Sequence, residues 1–376
     1  MNILHVINIS FVLRHFIGDQ FFYFPSKGYK LFVACSPDSG LKKMADYYHF
    51  EYLATPIERR ISILSDIKSI FSICRYIRKN NIDIVEGHSP KGALLGMIAA
   101  KLCRVPKRIY FRHGLVYETS HGFKRTILIW IDRLTSACAT KVVCVSNSLM
   151  QQSLHDHLCP ASKQVILGKG TCGGIDTQKK YNPALINPEK LAAYRAQYGL
   201  NENDYVIGYT GRLVRDKGII ELLQAFDRLP EELHAKLLLV GMFEERDALP
   251  DNIQDRIRND QRIAFAGLID TNMEYFYAMM NVYVLASYRE GFPIGVLEAQ
   301  AMQIPVLTTK ATGCIDSIIE NETGLYITHD VEDIAQKIQS IREYKDMGKN
   351  GRTWVTSCFD NSVVWKDIEN LYLENR

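Results

Sequence analysis

Two loops hold the residues best suited to chemistry. The first is Gly211-Arg-Leu-Val-Arg-Asp-Lys217-Gly218, and the second, about seventy residues on, is Glu290-Gly-Phe-Pro-Ile-Gly-Val-Leu-Glu298. Arg212 offers a planar fork of donors and Lys217 a point charge, both suited to phosphate. Gly211 and Gly218 permit tight turns or close backbone approach. In the second loop Pro293 suits the first position of a helix, because its missing N–H would be an orphan there. Gly291, Phe292, Ile294 and Gly295 supply backbone donors at that helix N-terminus, where an anion is favoured. Glu290 then lies beside the anion and Glu298 about a turn and a half into the helix. Carboxylates flanking an anion site suit a ligand with a diphosphate centre and hydroxylated ends, and a nucleotide-sugar fits.

The elements that must position these loops alternate. Strands are predicted at 3–9, 31–35, 52–54, 82–86, 108–111 and 141–145, with helices at 12–24, 40–50, 65–78, 92–103, 123–138 and 148–158 between them. Residues 173–203 break the rhythm with glycines, Pro183 and Pro188. The alternation resumes with strands at 205–209, 236–240, 262–266, 282–286, 306–308 and 325–327 and helices at 218–229, 273–279, 293–302 and 331–344. This is an α/β chain of two doubly wound parallel sheets. The domains read as 1–175, a linker at 176–203, and 204–358. A tail helix at about 359–376 carries Trp365, Ile368 and Tyr372 and packs back on a domain, the first being our choice. In such sheets the ligand sits at the carboxyl ends of strands, so the cleft between two of them is the expected site.

At 376 residues with 47% hydrophobic and 23% charged, two cored domains are the natural expectation, and disorder, collagen and disulfide scaffolds are excluded. Nine cysteines form no C-x-x-C pair and no zinc spacing, which points to a reducing compartment. His155-Asp-His157 supplies two ligands at most, too few for a metal. The start Met1-Asn-Ile-Leu-His-Val-Ile reads as a strand rather than a signal peptide, and no apolar run approaches a spanning length. Charge is lopsided: residues 1–190 carry 26 Lys and Arg against 13 Asp and Glu, the remainder 19 against 29. A basic half suggests an anionic surface or ligand. No nucleic-acid motif accompanies it.

The two loops in this order, Gly-Arg-x4-Lys-Gly-x2-Glu and then Glu-Gly-x-Pro-x4-Glu-Ala, resemble those of the retaining nucleotide-sugar glycosyltransferases of family 4. The resemblance implies the GT-B fold, two Rossmann-like doubly wound domains facing a central cleft. His88-Ser-Pro-Lys91-Gly, Arg112-His-Gly-Leu115 with Glu118, Val145-Ser-Asn147 and Gly173-Gly-Ile-Asp176 are most similar to the capsule and lipid-linked-oligosaccharide branch. By this resemblance Arg212 and Lys217 stabilise the departing diphosphate, Glu298 takes the ribose diol, and Glu290 holds hydroxyls of the donor sugar. Gly211, Gly291, Phe292, Ile294 and Gly295 line the donor, and His113 acts near the transferred sugar. The acceptor side falls to Arg14, Lys91, Arg112 and Glu118. The family's mechanism is a same-face reaction in which a donor phosphate oxygen takes the acceptor proton. No Asp-x-Asp motif is present, so no catalytic metal or other cofactor is expected beyond the donor, a UDP-sugar by our reading. One departure is plain: Asn8 to His15 holds no glycine where relatives carry a Gly-Gly loop, and Arg14 stands in as a cation.

The implied activity is transfer of a sugar, an N-acetylated hexosamine or deoxyhexose, to a polyprenyl-diphosphate-linked saccharide in capsule, O-antigen or glycan assembly. The alternatives are a UDP-sugar 2-epimerase of the same fold and a non-catalytic nucleotide-sugar-binding partner. The segment Lys124-Arg-Thr-Ile-Leu-Ile-Trp130-Ile fits an interfacial helix, although a core helix is the preferred reading. With Arg59, Arg60, Lys101, Arg104, Lys107 and Arg108 nearby, the expected location is cytoplasmic, with peripheral contact to an anionic membrane on its inner face.

Overall fold

The computed structural model describes residues 1–58, 62–171 and 173–374. Arg59, Arg60 and Cys172 lie outside the described residues. The chain divides into two units, Met1–Gly174 with Ser362–Arg376, and Ile175–Asn361.

The first unit holds seven strands: β1 (Asn2–Val6), β2 (Lys30–Cys35), β3 (Glu51–Ala54), β4 (Ile84–Gly87), β5 (Lys107–Arg112), β6 (Lys141–Cys144) and β7 (Gln164–Val165). They pair in parallel in the order β3-β2-β1-β4-β5-β6-β7. Central positions such as Ile3, Leu4, Ile84, Val85, Val142 and Val143 are fully buried, as expected where helices cover both faces of a parallel sheet. Strand order reverses between β1 and β4, and His5 of β1 lies directly across from Glu86 of β4.

The second unit repeats the plan with β8 (Tyr205–Thr210), β9 (Ala235–Val240), β10 (Ile263–Gly267), β11 (Val282–Leu285), β12 (Val306–Thr309) and β13 (Gly324–Ile327). The parallel order is β10-β9-β8-β11-β12-β13, with the reversal between β8 and β11. The loop after β8 is 211–218 and the loop after β11 is 286–293. Both singled-out loops therefore leave adjacent strands at the switch point of one sheet, where such sheets bind ligands.

Several expectations need adjustment. The helix expected at 12–24 is two helices, Phe11–Phe16 and Gln20–Ser26, separated at Gly18, whose φ of +52° leaves the helical region. Residues 176–203 belong to the second unit, where they form a 3-10 turn at Pro183–Leu185 and the helix Pro188–Gln197. Asn187 accepts from Lys190 N at its start. The end of the chain is two helices: Met347–Phe359 in the second unit and Asn361–Leu373, almost all in the first. There Trp365 Nε1 donates to Gly173 O at 2.7 Å, and the buried Tyr372 ring lies 5.3 Å from Phe24.

The core reading of 123–138 is corrected. Helix Gly122–Cys138 buries only its last turn, Thr135, Ser136 and Cys138, while Phe123 is 81% exposed, Trp130 63% and Leu134 50%. Among the described residues no helix is long and apolar enough to cross a membrane.

Candidate functional site

In the second unit the two loops are stitched together by their backbones. Tyr288 N donates to Asp216 O at 2.9 Å, Ser287 Oγ to the same oxygen at 3.2 Å, and Arg289 pairs with Asp216 at 3.1 Å. Gly218 permits this, with φ +68°: a Cβ there would lie 2.0 Å from Ala286 O, at the end of β11. Lys217 is thereby laid across the strand end, where its Nζ donates to Glu290 Oε1 at 2.7 Å and to Arg289 O at 3.3 Å. From the other side Glu290 N donates to Thr312 O at 2.9 Å. Gly313, with φ +77°, closes that contact, because a Cβ would meet Gly291 O at 2.5 Å and Glu290 O at 2.6 Å.

The helix Ile294–Ala301 starts over this point with Pro293 at its cap, one position before the expected place, and no side chain caps it. Its first-turn amides, including Ile294 and Gly295, point toward the loop end as an anion site requires. Glu298 is half-buried one turn further on, and both its oxygens are held by phenols: Tyr181 donates to Oε1 and Tyr277 to Oε2, each at 2.6 Å. A carboxylate has about four acceptor sites, so two phenols leave capacity for a ribose diol. Arg212 is half-exposed and its guanidinium pairs with Glu244 at 2.7 Å. Lys217, Glu290, Arg212, Glu298, Gly211 and the 291–295 backbone are thus brought to one sheet edge.

In the first unit the predicted residues scatter. His113 follows β5 with its ring stacked on Phe16, centroids 3.8 Å apart and planes at 4°. Its Nε2 meets His88 Nδ1 at 3.1 Å. Burial, then the neighbouring His88, hold its pKa well below the ordinary 6.5. Arg14 is exposed in the last turn of Phe11–Phe16. Glu118 lies in the turn after β5, half-buried. Lys91 pairs with Asp66, tying helix Pro90–Leu102 to Ile63–Lys79. Arg112 does not belong with an acceptor. It is wholly buried, and it donates to Asp132 at 2.6 Å, Ser153 at 2.6 Å and Ser136 at 2.8 Å, joining two helices to β5. Arginine beside HG in sequence suggested a ligand, but its direction in β5 turns it into the core.

With this geometry in view, the comparisons are specific. Residues 5–146 match the family described as glycosyl transferase 4-like, and residues 192–354 match glycosyl transferases group 1. The capsular polysaccharide biosynthesis glycosyltransferase CapM of Staphylococcus aureus is 34% identical over 84% of this chain and 83% of its own. The chain belongs to the family 4 glycosyltransferases. An Escherichia coli relative, UDP-Gal:alpha-D-GlcNAc-diphosphoundecaprenol alpha-1,3-galactosyltransferase, is 25% identical over 94% of this chain and 92% of its own. The crystal structure of Anabaena HepE with UDP and glucose superposes with a TM-score of 0.81, covering 100% of both chains at 18% identity, which establishes the same fold.

Several partners in this glycosyltransferase escaped the sequence. Tyr181, Tyr277 and Glu244 lie in no motif and reach their partners only through the fold. The loop Thr312-Gly313 carries a sequence signal of its own, a glycine just after a strand of the same sheet. In the first unit His5 and Glu86 sit inside apolar strands, and only strand pairing shows that they face each other.

Proposed function

We propose that this glycosyltransferase is a retaining, metal-independent enzyme that moves a sugar from a UDP-sugar to a polyprenyl-diphosphate-linked saccharide. The observation that carries this is the Lys217–Glu290 pair, 2.7 Å apart at the sheet's switch point beside an uncapped helix N-terminus. Lys217 and Arg212 take the diphosphate, the backbone amides of Gly291, Phe292, Ile294 and Gly295 its oxygens, and Glu298 the ribose. Glu290 holds the donor sugar and His113 acts on it from the first unit. The anomeric C–O bond to the diphosphate breaks and the acceptor hydroxyl oxygen bonds to that carbon on the same face. The acceptor proton goes to a donor phosphate oxygen, and the nucleoside diphosphate leaves. Fixed cations facing the leaving group are the largest expected contribution.

The acceptor class follows the relatives, whose names include transferases acting on GlcNAc-diphosphoundecaprenol and on diacetylbacillosaminyl-diphospho-undecaprenol, with capsule assembly represented by CapM. An N-acetylated hexosamine or deoxyhexose is the sugar we expect to be moved. A lipid-linked acceptor places the first unit against a membrane. The exposed Phe123, Trp130 and Leu134, with Ile63, Leu64 and Phe71 of a second helix packed on Pro90–Leu102, suit peripheral attachment to an anionic cytoplasmic leaflet. Arg14 and Lys91 stay on the acceptor side of this proposal with Glu118.

The test is a panel of UDP-, GDP- and dTDP-sugars with and without a polyprenyl-diphosphate-saccharide extract, with EDTA throughout, following nucleotide release. Acceptor-dependent release that vanishes in Glu290→Ala and Lys217→Ala is expected. Donor conversion without acceptor would instead mark a 2-epimerase, and tight donor binding without turnover a binding partner. Sedimentation with anionic liposomes at low and high salt checks the membrane contact, and no binding at low salt would refute it.

A further inference from the structure

Three backbone carbonyls at the far end of the donor helix converge on one arginine. Helix Met347–Phe359 packs against helix Ile294–Ala301, and two of its glycines let it come close. A Cβ at Gly348 would lie 2.0 Å from Gln303 O, and one at Gly351 3.1 Å from Gln300 Cγ. Arg352, beside Gly351, reaches the end of the donor helix from there. Its Nη1 donates to Ala301 O at 2.6 Å and to Tyr181 O at 2.9 Å, and its Nη2 to Thr177 O at 3.1 Å. All of these residues lie in the second unit.

What has to be held explains the residue type. Ala301 closes its helix, so its carbonyl is one of the four that a helix end leaves without an intrahelical partner. A cation there also meets the negative end of the helix dipole. A planar guanidinium serves carbonyls on several sides at once, whereas a lysine offers a single point charge. Arg352 is half-buried, and burial draws its pKa below the ordinary arginine value.

The segment that Arg352 holds carries a side chain of the nucleotide site. Residues 176–181 form a turn, with Tyr181 N donating to Asp176 O at 2.8 Å and Lys179 N to Asp176 Oδ1 at 2.9 Å. Tyr181 is buried, its ring edge-to-face with Tyr277 at 5.9 Å between centroids. Its hydroxyl donates to Glu298 Oε1 at 2.6 Å, within the range for a bond to an ionised carboxylate. Glu298 stands three residues before Ala301 on the same helix. The contacts therefore close a ring. Arg352 joins Ala301 to Tyr181 through their backbones, and Tyr181 returns to the helix through its phenol. Loss of the arginine removes the backbone side of this ring, and the phenol–carboxylate bond must then absorb any movement of the turn.

We propose that Arg352 is a positioning residue for nucleotide recognition. By joining residues 177–181 to the end of helix Ile294–Ala301, it sets the Tyr181 phenol on Glu298 and so fixes the plane in which that carboxylate meets a ribose diol. This rests on the reading of Glu298 given above and extends it. Discrimination between ribose and deoxyribose then depends on a residue at the opposite end of the donor helix from the anion site.

Calorimetry of the full-length protein with UDP and with 2′-deoxy-UDP tests this. The wild type is expected to prefer UDP by at least about 10-fold, as loss of a hydrogen bond to a charged group implies. Arg352→Met should weaken UDP about 5-fold and 2′-deoxy-UDP less than about 2-fold, so that the ratio narrows. Arg352→Lys keeps the charge at the helix end and should fall between. Added to Tyr181→Phe, Arg352→Met should weaken UDP by no more than about a further 2-fold, because both changes act on one bond. An arginine that serves only the fold would lower the urea midpoint and leave the ratio at its wild-type value, and that result overturns the proposal. So does a double variant in which the two losses multiply. Should Arg352→Met not fold, Arg352→Lys carries the same two comparisons. A wild type that binds both nucleotides equally, or neither, defeats the UDP-and-ribose reading above and this proposal with it. A wild type that discriminates, with an unchanged ratio in the Arg352 variants, defeats this proposal alone.

Discussion

Lys217 and Glu290 are 73 positions apart in sequence and 2.7 Å apart in space. Their pairing is imposed by adjacent strands, β8 and β11, and by the close approach that Gly218 allows. Before a ligand arrives, each charge neutralises the other; a bound diphosphate and sugar would share them. Lys217→Ala and Glu290→Ala should each lower kcat by about 10²- to 10³-fold, the range for loss of one preorganised charge partner. Because each single change also strands the other member, the double variant should be far less impaired than the product of the two. Steady-state kinetics of the three variants checks this, and strict multiplicativity would show that the residues act independently.

The tyrosines on Glu298 set how it meets a ligand. Tyr181 and Tyr277 each occupy one oxygen at 2.6 Å, fixing the plane of the carboxylate. Removing one neutral hydrogen bond costs about 1 kcal/mol. Tyr277→Phe and Tyr181→Phe should therefore weaken nucleotide binding by about 5-fold each while kcat at saturation changes little. Calorimetry with the free nucleoside diphosphate measures it. An unchanged affinity in both would mean that Glu298 does not touch the nucleotide.

The same residues show what a sequence reveals and what it hides. Glu290, Arg212 and Lys217 were legible because each stands in a loop with glycines after an apolar strand, and Glu298 because it lies in the helix that such a loop opens, a local pattern. Most strand positions were legible for the same reason, since β-branched runs such as Val142-Val143 are buried on both faces. Tyr277, Glu244 and Glu86 were not, because nothing local distinguishes a phenol or carboxylate that will face a partner 21 to 286 positions away. Arg112 misled for a related reason. Its neighbours His113 and Gly114 carry the recognisable pattern, but side chains alternate along β5, and the alternation points Arg112 inward. The helix Pro188–Gln197 was missed because prolines and asparagine there read as linker, when Asn187 and Pro188 are in fact its cap and first residue.

Arg112 makes a stability prediction. It is a buried cation paired with Asp132, which also accepts from Tyr110 at 3.0 Å. Arg112→Ala would leave that carboxylate with too few partners and should cost about 3–5 kcal/mol. Arg112→Met, closer in volume, should cost less if Asp132 is changed to Asn with it. Urea unfolding of the variants reports the loss. A stable Arg112→Ala protein with a raised acceptor KM would return this residue to the binding surface.

His88 and His113 make the stability of the first unit depend on pH. Both have folded pKa values below the ordinary 6.5, from burial first; His5 then acts on His88 in the same direction, and His88 on His113. The groups facing His88 are Glu86, which opposes the shift, His5, and His113 at 3.1 Å, with Phe111 and Phe16 neutral. Between the folded and unfolded values the unfolded chain binds more protons than the folded one, so stability rises with pH there. It is fully present above about 6.5 and is lost as pH falls toward the folded values, by up to about 1.4 kcal/mol per pH unit for each ring. Glu86 adds nothing in this window, because its own pKa is lowered below the usual carboxylate range and its contribution fades only at lower pH. Urea midpoints taken from pH 7.5 down to 5 should fall for the wild type and fall less steeply for His113→Phe. Parallel slopes in the two proteins would mean that His113 titrates in the folded state as it does in the unfolded chain.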